Sequence, residues 1–234
     1  MIDQLIIGDK ASFDDFGASL AQRTIGQPPK KSIKETVPFS NMTYDFSKIN
    51  GEIYWEEREL EYVFEMIAPT PEKLEDMKTA FADWVMNVMN EEIHDPFIPE
   101  YHFVGTYAEM EFEDEDGVEK TTASVTFTAY PYKIANHATG AEVEFGPYYA
   151  ARDAEVSVYN ASSHPVTAAA SVKFADESDL TRFITFESMS FSTSLTEGNE
   201  IYLTLPTGLS TFRISNTNEP CGGSVTITYR EEVF

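Results

Sequence analysis

Between Arg58 and Asn90 an alternating strand runs directly into an amphipathic helix, and no other stretch constrains the fold so tightly. Leu60, Tyr62, Phe64 and Met66 fall on one face, and Glu59, Glu61 and Glu65 on the other, where Val63 and Ile67 add some apolar character. Period-two alternation of this length predicts a strand with one face in a core. Ala68-Pro69-Thr70-Pro71 stops it; Thr70 can cap a following helix and Pro71 suits the first helical position. Glu72, Glu75 and Asp76 then place negative charge at the positive end of that helix. Leu74, Met77, Phe81, Trp84, Val85 and Val88 form a single stripe at helical spacing. The pattern predicts a helix over 71–90, a rod of roughly 30 Å, and a stripe this aromatic needs a sheet to lie on. The stripe reads as core rather than as a binding surface.

At 234 residues the chain has room for one large or two ordinary domains. Hydrophobic residues make up 42% and aromatics 13%, enough for packed cores. No run of eighteen apolar residues occurs, so no membrane-spanning helix is expected. Residues 1–7 lack the basic region of a signal peptide and read as a first strand. Cys221 stands alone, which excludes an internal disulfide and fits folding in a reducing cytoplasm. The net charge is −24, with 27 acids against 11 bases over 1–134 and 13 against 5 over 135–234. Such a surface repels nucleic-acid backbones and anionic membranes, so sequence-specific nucleic-acid binding and membrane binding are not expected.

Residues 1–50 read as short extended pieces broken by Gly8-Asp9, Gly17, Gly26, Pro28-Pro29 and Pro38. Lys30, Lys31 and Lys34 form the chain's basic cluster, on a polar strand over 30–37. They suit either an edge strand protected from pairing or a contact for an acidic neighbour. Residues 39–50 read as a loop anchored by Tyr44 and Phe46, and 93–96 as a turn. A strand from Tyr101 through Glu109, Glu111 and Glu113 leads to a hairpin turn at Asp116-Gly117, and Val118–Tyr130 returns. The two arms are expected to make a long ribbon whose acidic tip projects beyond its domain. Ala135–Gly140 reads as a linker, dividing the chain into domains at 1–134 and 135–234. Beyond it no helical stripe occurs. Eight strand candidates, at 142–146, 154–159, 166–174, 181–187, 189–195, 200–205, 209–215 and 224–230, suggest a β-sandwich. The fold class is therefore mainly β (α+β): a sheet with one packed helix, then a sandwich.

No catalytic constellation is legible. His94, His102, His137 and His164 lack metal-ligand spacing, no Gly-rich phosphate loop or G-x-S-x-G occurs, and nothing is placed to activate Cys221. The run Glu113-Asp114-Glu115-Asp116 lacks the ligand register of a Ca²⁺ loop. No enzyme activity, cofactor or metal is expected.

The order of segments carries a resemblance. Pro38-Phe39-Ser40-Asn41-Met42-Thr43-Tyr44-Asp45-Phe46-Ser47 leads into Glu57–Glu65, then come the amphipathic helix, Tyr101-His102-Phe103, the return strand Val125–Lys133, and a β-domain ending in Val225–Glu232. This resembles the distal tail proteins of long-tailed, non-contractile bacteriophages and of prophages in Gram-positive hosts, over nearly the whole chain. The resemblance implies a tail-tube-like N-terminal sheet or barrel carrying one helix, and a C-terminal galectin-like β-sandwich. It also implies a hexameric ring joining the tail tube protein to baseplate, tail-fibre or tail-associated lysin proteins, with DNA passing through its centre. The place implied is the virion tail tip, reached by assembly in the host cytoplasm. On that reading Glu109, Glu111, Glu113, Asp114, Glu115 and Asp116 are candidates to face the channel; the bland alternative is a solvated hairpin tip. A rival function is carbohydrate binding by the C-terminal sandwich in host-surface adhesion. It is weakened because Trp55 and Trp84 both lie in the first domain.

Overall fold

The computed structural model describes residues 3–36, 39, 41–47, 53–115, 119–145, 154–175, 183–188, 192–216 and 222–234. The chain divides into two compact units, Met1–Lys133 with Phe234, and Ile134–Val233. Each has its own apolar core.

The first unit is built on the predicted strand. In chain order its elements are β1 (Ile6–Ile7), β2 (Lys10–Ala11), α1 (Ser12–Phe16), β3 (Ser19–Ile25), β4 (Lys34–Thr36), β5 (Thr43–Asp45), β6 (Arg58–Ile67), α2 (Pro71–Met86), β7 (Glu91–His94), β8 (Tyr101–Asp114) and β9 (Lys120–Ala129). They form an antiparallel sheet in the order β3-β6-β9-β8-β7-β1-β2, with β4 and β5 paired apart from it. On β6 the burial alternates as the side-chain period requires, with Leu60, Tyr62, Phe64 and Met66 in the core. Helix α2 lies on that face through Leu74, Phe81 and Val85, and the Phe64 and Phe81 rings meet edge to face at 5.1 Å. Thr70 caps it by accepting from the Lys73 N–H at 3.4 Å, with Pro71 in the first turn.

Four expectations change here. Helix α2 ends at Met86, not 90: Asn87 caps it, Asn90 takes a positive φ of 53°, and Val88 reaches the core from the turn beyond. The unit has a second, five-residue helix, α1, absent from the sequence reading. It ends on Gly17 at φ 69°, and Phe16 stacks on Trp84 at 4.7 Å, so tertiary packing rather than periodicity supports it. The 93–96 turn begins as strand, since Ile93 and His94 belong to β7 and pair with β1. Lastly, the described part of the β8–β9 ribbon does not project, because β6 flanks β9 as far as the Ile67–Lys120 pair; the turn at 116–118 lies outside the described residues.

The second unit comprises β10 (Lys133–Phe145), whose first residue belongs to the first unit, β11 (Ala154–Asn160), β12 (Val166–Phe174), β13 (Phe183–Glu187), β14 (Ser192–Thr196), β15 (Glu200–Leu205), β16 (Gly208–Asn216) and β17 (Gly223–Val233). Their positions follow the eight candidates within a few residues, except that β10 begins earlier. The strands form two layers, β15-β12-β17-β10 and β11-β16-β13-β14. Both feed one core, with Val156, Ile184, Phe186 and Phe212 from one layer meeting Ala168, Ala170, Val225 and Ile227 from the other. That is a β-sandwich. The expected linker 135–140 is strand, because β10 pairs with β17 there. At Gly140 the backbones come so close that a Cβ would strike the Ile227 carbonyl.

Candidate functional site

The side of the first unit's sheet away from α2 is polar and acidic. On β6 it presents Glu59, Glu61, Val63 and Glu65; on β9, Thr122, Ser124, Thr126 and Thr128; on β8, Glu109, Glu111 and Glu113. The register aligns them in rows: Glu61–Thr126–Glu109, Val63–Ser124–Glu111 and Glu65–Thr122–Glu113. A hydroxyl strip is thus flanked by two files of carboxylates. Strand spacing puts the files about 10 Å apart. Among the described residues of these three strands, Lys120 is the only cation on that face; its Nζ lies 3.2 Å from Glu65 and 3.7 Å from Glu115.

A β-bulge creates this arrangement. Tyr107 pairs with Phe127, but Glu109 pairs with Thr126, so Ala108 is the extra residue. Were Ala108 paired one-to-one in a regular ladder, Glu109, Glu111 and Glu113 would share the core face with Tyr107, as simple alternation from Tyr107 implies. With the bulge, Met110 and Phe112 turn toward the core and the glutamates turn away. The sequence reading saw the acids of β6 and of β8 separately and missed that they share a face; only the ladder register joins them.

The six candidate acids therefore part company. Glu109, Glu111 and Glu113 lie on the polar face. Asp114 lies on the helix side, where the nearly buried Lys78 Nζ approaches its Oδ1 to 2.6 Å and Glu75 Oε1 to 2.9 Å. Hydrogen bonds from Lys78 and then Thr121 pull the Asp114 carboxyl below its ordinary range. Burial alone would lower the Lys78 ammonium, but its bonds to Asp114 and Glu75 raise it on balance. Glu115 sits at the ribbon's end, its N–H donating to the Lys120 carbonyl at 3.1 Å. Asp116 lies outside the described residues.

Other polar clusters are structural. Asp95, fully buried, takes Arg23 Nη1 at 2.5 Å and the Tyr62 hydroxyl at 3.4 Å, and burial foremost pushes the Tyr62 phenol far up. Arg58, 1% exposed, donates to the Pro131 carbonyl and stands over the Phe103 ring at 5.5 Å; burial lowers its pKa. Among the described residues no three of His, Cys, Asp and Glu are grouped to hold a metal ion.

No protein-family model matches the chain, and no curated protein matches it in sequence. Solved structures do. The Dit protein (gp 19.1) of phage SPP1, described as a paradigm of hub adsorption apparatus in Gram-positive infecting phages, aligns with TM-score 0.63 and 10% identity over 100% of both chains. The chain has the fold of a phage Dit protein. The baseplate of phage P2 in its activated conformation with Ca aligns more loosely, at TM-score 0.41 and 9% identity over 99% of this chain and 98% of that one. In this chain the acid–hydroxyl face lies on the helix-backed sheet of the first unit, and the sandwich follows it in sequence.

Proposed function

We propose that this protein is a structural component of a phage tail tip, a distal tail protein. In this reading it forms a hexameric ring that joins the tail tube to the baseplate and surrounds the DNA channel, with the sheet face bearing Glu109, Glu111 and Glu113 turned inward. The first unit takes the tail-tube-like role and the second the galectin-like one, and the boundary between them falls near residue 134. The protein works at the virion tail tip after assembly in the host cytoplasm, beside the tail tube protein and tail-fibre, lysin or baseplate proteins. It catalyses nothing.

The observation that carries the reading is the acid–hydroxyl–acid face. A surface with two files of carboxylates and one ion-paired lysine offers phosphates no counter-charge. DNA can pass such a wall without being held. The likeness in fold to SPP1 Dit supports the same role. Electron microscopy of the concentrated protein should show six-fold rings, and persistent monomer removes the reading. In rings of Glu109→Lys/Glu111→Lys/Glu113→Lys, DNA binding should appear and fade with salt. Intact rings that still ignore DNA would leave these acids as ordinary surface charge.

A second reading, carbohydrate binding, is favoured by one observation in the sandwich. On the outer face of β11 and β16, Tyr159 and Leu209 pair side by side, 64% and 70% exposed. Next along are Ser157 and Thr211, with hydroxyls 3.0 Å apart, then Glu155 and Arg213, the latter 3.9 Å from Glu187. An exposed ring beside hydroxyls and a guanidinium suits a sugar. Glycan-array binding abolished by Tyr159→Ala would establish it; a silent array removes it.

A further inference from the structure

Among the described residues, the segment between β3 and β6 adds none to the apolar core of the first unit, and only Pro28 near its base is buried. Its two-stranded ribbon is closed by the Lys30–Trp55 bridge at its base and by the β4–β5 pairs above. Every described residue of β4 and β5 is exposed, and so are Ile33, Phe39, Met42, Phe46 and Ile53 around them. A two-stranded ribbon standing alone is marginal in water, and one displaying this much apolar surface needs a partner. One side of it encloses a pocket of about 410 Å³ lined by Lys30, Lys31, Ser32, Lys34, Asp45, Ser47 and Ile53. Three lysines face one carboxylate there. The other acid of the paired strands, Glu35 on β4, pairs with Tyr44 on the opposite side of the ribbon. In a chain of net charge −24, this pocket is a local reversal of sign.

The opposite end of the same sheet carries the complement. The ribbon leaves where Ile25 pairs with Leu60 and Arg58 with Ala129; the other end is marked by the Ile67–Lys120 pair. Ten residues of strand put these ends about 30 Å apart. At the far end the β8–β9 tip brings Glu115 and Glu119, and the start of α2 brings Glu72 and Asp76, all exposed. Ile67, 66% exposed, stands among them. Lys73 is exposed there too, while Lys78 and Lys120 are held by Glu75, Asp114, Glu65 and Glu115.

We infer that the lysine pocket and apolar ribbon of one copy dock on the acidic, Ile67-bearing sheet end of the next copy. The partner is a second copy of this chain because charge sign and apolar surface match end to end. The two surfaces are different patches at opposite ends of one sheet, so the contact is head-to-tail. Such a contact closes into a ring when its rotation closes. The inference rests on the ring reading and names the contact that joins its members.

The test is a charge exchange in the full-length protein. Sedimentation velocity over concentration and salt reads association, and circular dichroism checks that each variant is folded. Lys31→Glu/Lys34→Glu and, separately, Glu115→Lys/Glu119→Lys should each weaken association about tenfold or more at low salt. The protein carrying all four changes should regain it. The substituted side chains are exposed, so folding is expected to survive. Rings that assemble like wild type in both pairwise variants would overturn this contact and leave the ring reading standing. Failure of the four-fold variant to recover would also overturn it. A wild-type chain that stays monomeric at every concentration removes the contact and the ring together.

Discussion

Phe81 and Trp84 separate two senses of a hydrophobic stripe. Both sit on the helical pattern, yet Phe81 is fully buried against Phe64, while Trp84 is only half-buried and covered on one side by Phe16. Phe81→Ala should cost the first unit about 3–5 kcal/mol, the usual loss for a buried aromatic, and Trp84→Ala clearly less. Chemical denaturation of both variants measures this, and equal losses would refute the distinction. Asp114 supplies a pH effect. Its carboxyl is held below the ordinary value near pH ~3.9, so its contribution is complete above that value and is lost as pH falls through the lower, folded one. A carbon-13 titration should find its midpoint below the ordinary value for an aspartate, and Lys78→Met should move it back up. No movement in that variant would show that Lys78 is not the cause.

Single insertions and close approaches decide the elements. Deleting Ala108 removes the bulge and sets Glu109 directly after Tyr107, so regular alternation keeps Glu109, Glu111 and Glu113 opposite Thr126, Ser124 and Thr122 on the polar face. The expected outcome is a first unit that keeps its cooperative unfolding transition, because Met110 and Phe112 stay on the core side. A deletion variant that loses that transition would mean that the bend at the bulge is itself needed to fit the sheet. Gly140 permits a close contact. Gly140→Ala sets a Cβ against the Ile227 carbonyl and should destabilise the sandwich by about 1–3 kcal/mol as β10 and β17 move apart. Unchanged stability in that variant would mean that the strands separate freely.

At the scale of the whole molecule there are two cores, each fed by its own strands. Phe81→Ala should therefore lower one unfolding transition and leave the other, and calorimetry would resolve them; a single shifted transition would show that the units unfold together. The net charge of −24 is unevenly useful. On the polar face it leaves phosphates no counter-charge, while at the sheet end it supplies the surface proposed to receive the lysine pocket.

Much of this was readable from local pattern. Period-two alternation gave β6 and β9, the Thr70–Pro71 signal gave the start of α2, and turn residues gave the strands of the sandwich, because each depends on neighbours within a few residues. The ends were less legible. Helix α1 exists by virtue of Phe16 on Trp84, the stretch 135–140 is strand by virtue of β17, and Tyr44 and Phe46 are exposed rather than anchoring a loop. The acid face was invisible as a face: Glu61 and Glu109 are far apart in the chain, and a bulge reverses the parity between them. Composition and local period determine which residues prefer water or core. Which distant residues share a surface is set by strand register, and register is a property of paired backbones that only the folded sheet supplies.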